Sequence, residues 1–143
     1  MIALSALLLT GAAFADDDSR AKLIGKWQQS DGNADAKATW TLAGVPAESI
    51  RATNSSGAQT IAEFECNTMG KECEVKDAGR KTKVSMWFNG AKLVVMETRG
   101  DQVAKRRFAI AGDGDTMDLE TIPIVPSGKV EITHFKRIAS VSK

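Results

Sequence analysis

The side chains able to do chemistry are few and scattered. The chain contains one histidine, His134, and two cysteines, Cys66 and Cys73. His134 stands between Thr133 and Phe135 in an alternating run, so it reads as a strand residue that packs or faces water. Without a second histidine or a Cys-His arrangement, triad chemistry lacks its usual base, and a catalytic zinc has too few ligands. Asp113 and Asp115 are spaced like alternate calcium ligands, but the rest of an EF-hand loop, including its final Glu, is missing. A hairpin turn accounts for Gly112-Asp113-Gly114-Asp115 without an ion. No glycine-rich phosphate loop follows a strand and opens a helix. The chain therefore reads as a non-enzyme with no catalytic residue, no metal site and no cofactor.

The cysteines take their meaning from the start of the chain. Residues 1–15 read MIALSALLLTGAAFA and are followed at once by Asp16-Asp17-Asp18. The run Ile2 to Leu9 matches the apolar region of a signal peptide, and Ala13-Phe14-Ala15 is the small-x-small pattern of its cleavage site. The run is too short to cross a bilayer core of about 30 Å as a helix. This predicts a signal peptide over 1–15, a mature domain over 16–143, and a periplasmic or secreted location with no membrane span. No cysteine adjoins the cleavage site, so no lipid anchor is expected. In an exported chain an even cysteine count argues for a disulfide. The segment from Asn67 to Glu72 holds turn-forming Asn and Gly, and its flanks alternate. The reading is a hairpin with Cys66 and Cys73 bonded across it.

The remaining composition narrows the partners. The 143 residues suffice for one domain with one core. Nineteen basic residues balance 18 acidic ones, giving a formal charge of +1, which offers no electrostatic footprint for nucleic acid or an anionic membrane. Five Phe, three Trp and no Tyr leave little for a row of base-stacking rings.

From Asp16 onward short β-branched and apolar runs recur between turn signals, the pattern of a barrel or sandwich. Strands are predicted over Lys22–Gln28, Lys37–Leu42, Ser49–Asn54, Gln59–Cys66, Cys73–Lys76, Lys81–Phe88, Ala91–Thr98, Gln102–Ile110, Thr116–Ile124 and Lys129–Ile138. Asp16 to Ala21 can form a short helical turn before them. Asn89-Gly90 is a strong two-residue hairpin signal. Pro123 and Pro126 mark where the ninth strand ends or lies at an edge. Eight to ten sequential antiparallel strands close most economically as a small up-and-down barrel, which removes exposed edges.

In such a barrel the inward faces are predicted to carry Val84, Met86 and Phe88; Leu93 and Val95; Phe108 and Ile110; Met117 and Leu119; Val130 and Ile132. Alternation alone does not decide whether Glu97, Lys105 and Arg107 line a lumen or face water. Trp40, Met86, Phe88 and Met96 are ordinary core residues on one reading. On the other they line a pocket for a small apolar molecule, because small barrels can hold one ligand and methionine adapts to irregular shapes.

Leu23-Ile24-Gly25-Lys26-Trp27 resembles the Gly-x-Trp motif that opens the first strand of lipocalins, and Phe135-Lys136-Arg137 closes the last strand where that family places a basic residue. The resemblance implies that Trp27 plugs one end of the barrel with Arg137 stacked on it. Phe64-Glu65-Cys66, Val103-Ala104-Lys105-Arg106-Arg107 and Asp113-Gly114-Asp115-Thr116 extend the likeness to small bacterial exported lipocalin-like proteins. Together these readings predict an extracytoplasmic protein that binds a small hydrophobic or amphipathic ligand. The rival reading is a filled barrel that acts by its surface, as an envelope interaction or inhibitor module.

Overall fold

The computed structural model describes residues 15–31, 37–46, 48–77 and 80–138; of the expected export segment, residues 1–14 lie outside them. The described chain opens with α1 (Ala15–Leu23). Lys22 and Leu23, expected to begin the first strand, are instead its last helical residues. Asp18 and Lys22, one helical turn apart, form an exposed ion pair at 3.3 Å, but such pairs contribute only tenths of a kcal/mol. Tertiary contacts hold this short helix. Arg20 donates to the carbonyls of Val45 and Ser49, and Leu23 is fully buried.

Ten strands follow: β1 (Gly25–Gln29), β2 (Ala38–Val45), β3 (Ser49–Ser56), β4 (Gln59–Asn67), β5 (Cys73–Asp77), β6 (Arg80–Asn89), β7 (Lys92–Arg99), β8 (Gln102–Ile110), β9 (Thr116–Val125) and β10 (Glu131–Ile138). All ladders are antiparallel, in the order β4-β3-β2-β1-β10-β9-β8-β7-β6-β5. Each strand pairs with its chain neighbours, while β1 pairs with β10 and brings the two ends of the chain together. The result is an up-and-down barrel of ten strands, nearly closed on itself. Tight turns keep the meander in register. At Asn89-Gly90 the glycine has φ +62°, which it adopts without the strain a Cβ would bring.

Every neighbouring pair is hydrogen-bonded except β4 and β5, the ends of the ladder order. Cys66, near the end of β4, and Cys73, which begins β5, are joined by a disulfide. The expected bond is present, but the expected hairpin is not: β5 pairs with β6 alone. The disulfide spans a seam between two unpaired edges. Unpaired edges invite non-native strand addition, so a covalent staple there protects both.

One face of each strand fills the interior. Trp27, Leu42, Ile50, Phe64, Met86, Leu93, Phe108, Met117 and Phe135 are all buried in one cluster. Val130 and Ile132 do not join them. They are 52% and 57% exposed, because β10 begins at Glu131 and points Phe135 inward, which places Ile132 on the outer parity. β9 runs on through Pro123 to Val125. Its ladder to β10 stops at Thr121–Glu131, so Pro123 lies beyond the last partner on that side and its missing N–H breaks no bond.

If the seam depends on its disulfide, the Cys66→Ser/Cys73→Ser double variant should lose about 2–3 kcal/mol of stability by the loop-closure estimate. Denaturant unfolding measures this, and amide exchange should accelerate first along β4 and β5. Unchanged stability would show that core packing alone holds the seam.

Candidate functional site

The two ends of the barrel differ. At one end lie α1, the Asn89-Gly90 turn and the β8–β9 turn. Here Arg137 of β10 sits over Trp27 of β1, with its guanidinium carbon 4.2 Å from the ring centroid. The same guanidinium donates to the carbonyls of Lys22 and Ile24 at the end of α1 and to Gly114 in the β8–β9 turn. Trp27 donates its indole N–H to the Leu23 carbonyl at 3.0 Å. Gly25 makes the approach possible: its φ is +149°, and a Cβ there would collide with Arg137 Nη1. Glycine, tryptophan and arginine are thus parts of one closure.

Next to that closure, Asp113 accepts the backbone N–H groups of Asp115 and Thr116 at 2.9 and 3.1 Å. The Asp115 N–H, above all, holds the Asp113 carboxyl below its usual range. Its role is to fold the β8–β9 turn, and no cluster of metal-ligating side chains occurs among the described residues. His134 projects from the outer face of β10, its Nδ1 2.6 Å from Asp118 Oδ1 on β9. That hydrogen bond raises its pKa; both side chains are exposed.

The middle of the barrel is filled. Trp40 packs edge-on against Phe108 at 5.2 Å and Phe64 at 6.1 Å between centroids. Trp40 and Met86 are buried core residues, at 3% and 0% exposure. Phe88 packs against this core beside the Asn89-Gly90 turn. Met96 lies on the opposite face of β7 from Leu93 and Val95, so its side chain points away from the lumen.

Toward the other end the interior becomes polar. On β7 the inward series Leu93, Val95 continues to Glu97, and on β8 Phe108 is preceded on the same face by Arg106. Glu97 is only 9% exposed, yet both of its carboxylate oxygens are paired. Its Oε1 accepts from Arg99 Nη2 at 3.2 Å, and its Oε2 accepts from Arg106 Nη1. Arg106 also lies above the Trp40 ring, 5.8 Å from the centroid. These groups border a cavity of about 350 Å³. It is lined by Glu97 and Arg99 of β7; Gln102, Val103, Ala104 and Arg106 of β8; and Pro123, Val125 and Pro126 at the end of β9. Lys105 and Arg107, flanking Arg106, lie on the other face of β8, where Arg107 pairs with Glu120 at 3.2 Å.

None of Trp40, Met86, Phe88 and Met96 lines this cavity; Trp40 touches it through Arg106. Desolvating an ion pair is costly unless both partners are well bonded. The sequence did carry a signal: extending the Leu93, Val95 series by one step reaches Glu97, and extending Phe108 backward reaches Arg106.

No protein-family model matches the chain, and no curated protein matches it. Solved structures do. A Schistosoma mansoni fatty acid binding protein in complex with arachidonic acid superposes with a TM-score of 0.67 at 18% identity, covering 85% of this chain and 99% of that one. Echinococcus granulosus fatty-acid-binding protein 1 gives 0.67 at 9% identity over 83% and 99%. A secretory abundant heat soluble protein from Ramazzottius varieornatus gives 0.66 at 15% identity over 81% and 94%. What they share is the barrel. At such identities it is the fold that is common, and the polar cavity must be read from this chain's own residues.

Arg137→Ala should lower stability by about 2 kcal/mol, combining loss of the ring contact with the stranding of helix-end carbonyls. Arg137→Lys should restore only part of this, since an ammonium cannot reproduce the planar fork. Chemical denaturation of the three proteins decides it, and equal stability of all three would remove Arg137 from the closure.

Proposed function

We propose that this protein is an extracytoplasmic carrier that holds one small hydrophobic or amphipathic molecule in the polar-ended cavity of its barrel. The observation that carries the proposal is the pairing of buried Glu97 with half-buried Arg106 beside a cavity of about 350 Å³. A cavity of that size falls in the range used for small ligands, roughly 300–1,000 Å³. A carrier needs an apolar wall with a few placed polar groups, and here Val103, Ala104, Pro123 and Val125 supply the wall. The fatty acid binding proteins that share the fold make an acyl-chain compound a natural first class to test. Nothing in the cavity supplies an activated nucleophile or an acid–base pair poised at a reacting atom, so binding without turnover is the proposed role. The Cys66–Cys73 disulfide and the leader-like residues 1–15 support an oxidising compartment outside the cytoplasm. Among the described residues no helix is long and apolar enough to cross a membrane.

A second reading has one observation in its favour. Ile124, Val125, Val130 and Ile132 are 41–57% exposed around the β9–β10 connection, and such a cluster suits contact with another protein. The two readings separate in one titration. A fluorescent fatty-acid or retinoid probe should bind the disulfide-bonded protein saturably at one site per chain and be displaced by unlabelled compound. Absence of saturable binding across such probes would leave the surface reading in place.

A further inference from the structure

The length of ligand that this barrel can hold is set by what already fills it. Glu97 and Arg106 are bonded to each other across β7 and β8, and both line the cavity. The next inward residues on the same strands, Val95 and Phe108, are fully buried. Arg106 lies over the ring of Trp40, and Trp40 is wedged edge-on against Phe64 and Phe108. The ion pair is therefore the floor of the cavity, with aromatic core directly beneath it. Below that floor Trp27, Met86, Leu93, Met117 and Phe135 occupy the middle of the barrel, where a long acyl chain would otherwise run. A chain passing the floor must part the ion pair and push core side chains out of their packing, and both steps are costly.

The cavity above the floor is an alcove on one wall. Its lining comes from the neighbouring strands β7, β8 and β9 and from Pro126 just after β9. Its volume of about 350 Å³ lies near the lower bound of small-ligand sites, roughly 300 Å³. A methylene group takes about the 30 Å³ share of a liquid water molecule, so the alcove has room for about a dozen non-hydrogen atoms. Ala104 helps to set that room. It lines the cavity, opposite Glu97 on the β7–β8 ladder and opposite Pro123 on the β8–β9 ladder.

We propose that the cavity takes compact amphiphiles of medium chain length, and that an alkyl chain longer than about ten carbons leaves its excess outside the cavity, in water. The inference rests on the ligand-binding reading of the cavity and specifies the size class of its ligand. Glu97 and Arg106 set the depth, and Ala104 keeps the space above them open.

The test is a series of alkan-1-ols from hexan-1-ol to tetradecan-1-ol, each kept below its solubility limit, against the intact disulfide-bonded protein. The head group is constant and uncharged, which leaves chain length as the variable. Displacement of a fluorescent fatty-acid probe gives the affinities, with calorimetry for the more soluble members. Each added methylene should tighten binding about three- to fourfold while it enters the cavity. Beyond about ten carbons the gain per methylene should fall to almost nothing. Ala104→Leu adds about three carbon atoms to the wall and should bring that break down by about three carbons. A wild-type series that keeps climbing to tetradecan-1-ol would show that chains pass the floor; it would overturn the size limit and leave the carrier reading intact. A break that Ala104→Leu does not move would place the limit outside this cavity and overturn the inference as well. Failure of every alcohol to bind would remove the carrier reading itself. The break is read from ratios of successive affinities, so a variant of lowered stability still reports it, and the wild-type series decides the matter without the variant.

Discussion

The stacking of Arg137 on Trp27 is the constraint from which the rest of the barrel takes its polarity. One guanidinium covers an indole at 4.2 Å and caps the end of α1 through the carbonyls of Lys22 and Ile24. It also holds the β8–β9 turn through Gly114. Because Arg137 belongs to the last strand and Trp27 to the first, this contact locks the pairing that closes the sheet between β1 and β10. It fills one end of the lumen with a large aromatic ring. Free volume and polar side chains are then left to the other end, where Glu97 and Arg106 meet.

Closing a sheet from both directions leaves one place where strands need not be paired, and here it falls between β4 and β5. Two devices close the cylinder: the β1–β10 ladder and the Cys66–Cys73 bond. They lie on different parts of the wall and fail differently. A ladder of backbone hydrogen bonds opens cooperatively with neighbouring strands, whereas a disulfide chiefly limits the unfolded chain and ties two edges that have little else to hold them. The wall is therefore firm enough for the interior to carry buried charge. An ion pair such as Glu97–Arg106 tolerates desolvation only when its geometry is kept, and β7 and β8, joined along seven residue pairs, keep it.

Much of the architecture was legible from alternation and turn chemistry. Asn89-Gly90 placed the β6–β7 hairpin and Gly112-Asp113-Gly114-Asp115 the β8–β9 turn, and the inward series from Val84 to Leu119 on β6 to β9 follows from period-two patterning. Three features were not legible, each for a physical reason. The cysteines looked like a hairpin because a short, turn-rich segment separates them, and nothing local distinguishes a hairpin from two edges of a closing sheet. Val130 and Ile132 looked like core because they are apolar, but the strand starts later than their composition suggests and its parity turns them outward. Met96 was grouped with the pocket by type, although one step along β7 points it away. The site itself was concealed by its chemistry. Glu97 and Arg106 have the residue types of a solvated face, and only strict continuation of the inward series, against their polarity, would have put them inside. A pattern that breaks the apolar rule on the inner face is what a functional interior writes into a sequence.

The central claim is that a ligand enters the polar half of the lumen and stops above Trp40. Backbone and indole chemical shifts followed by two-dimensional NMR during titration with an acyl-chain alcohol test this directly. The account predicts shifts at Glu97, Ala104, Arg106 and the Trp40 indole, with the Trp27 indole and Arg137 unmoved. Shifts confined to Ile124, Val130 and Ile132 on the outside of the barrel, with the interior silent, would contradict it.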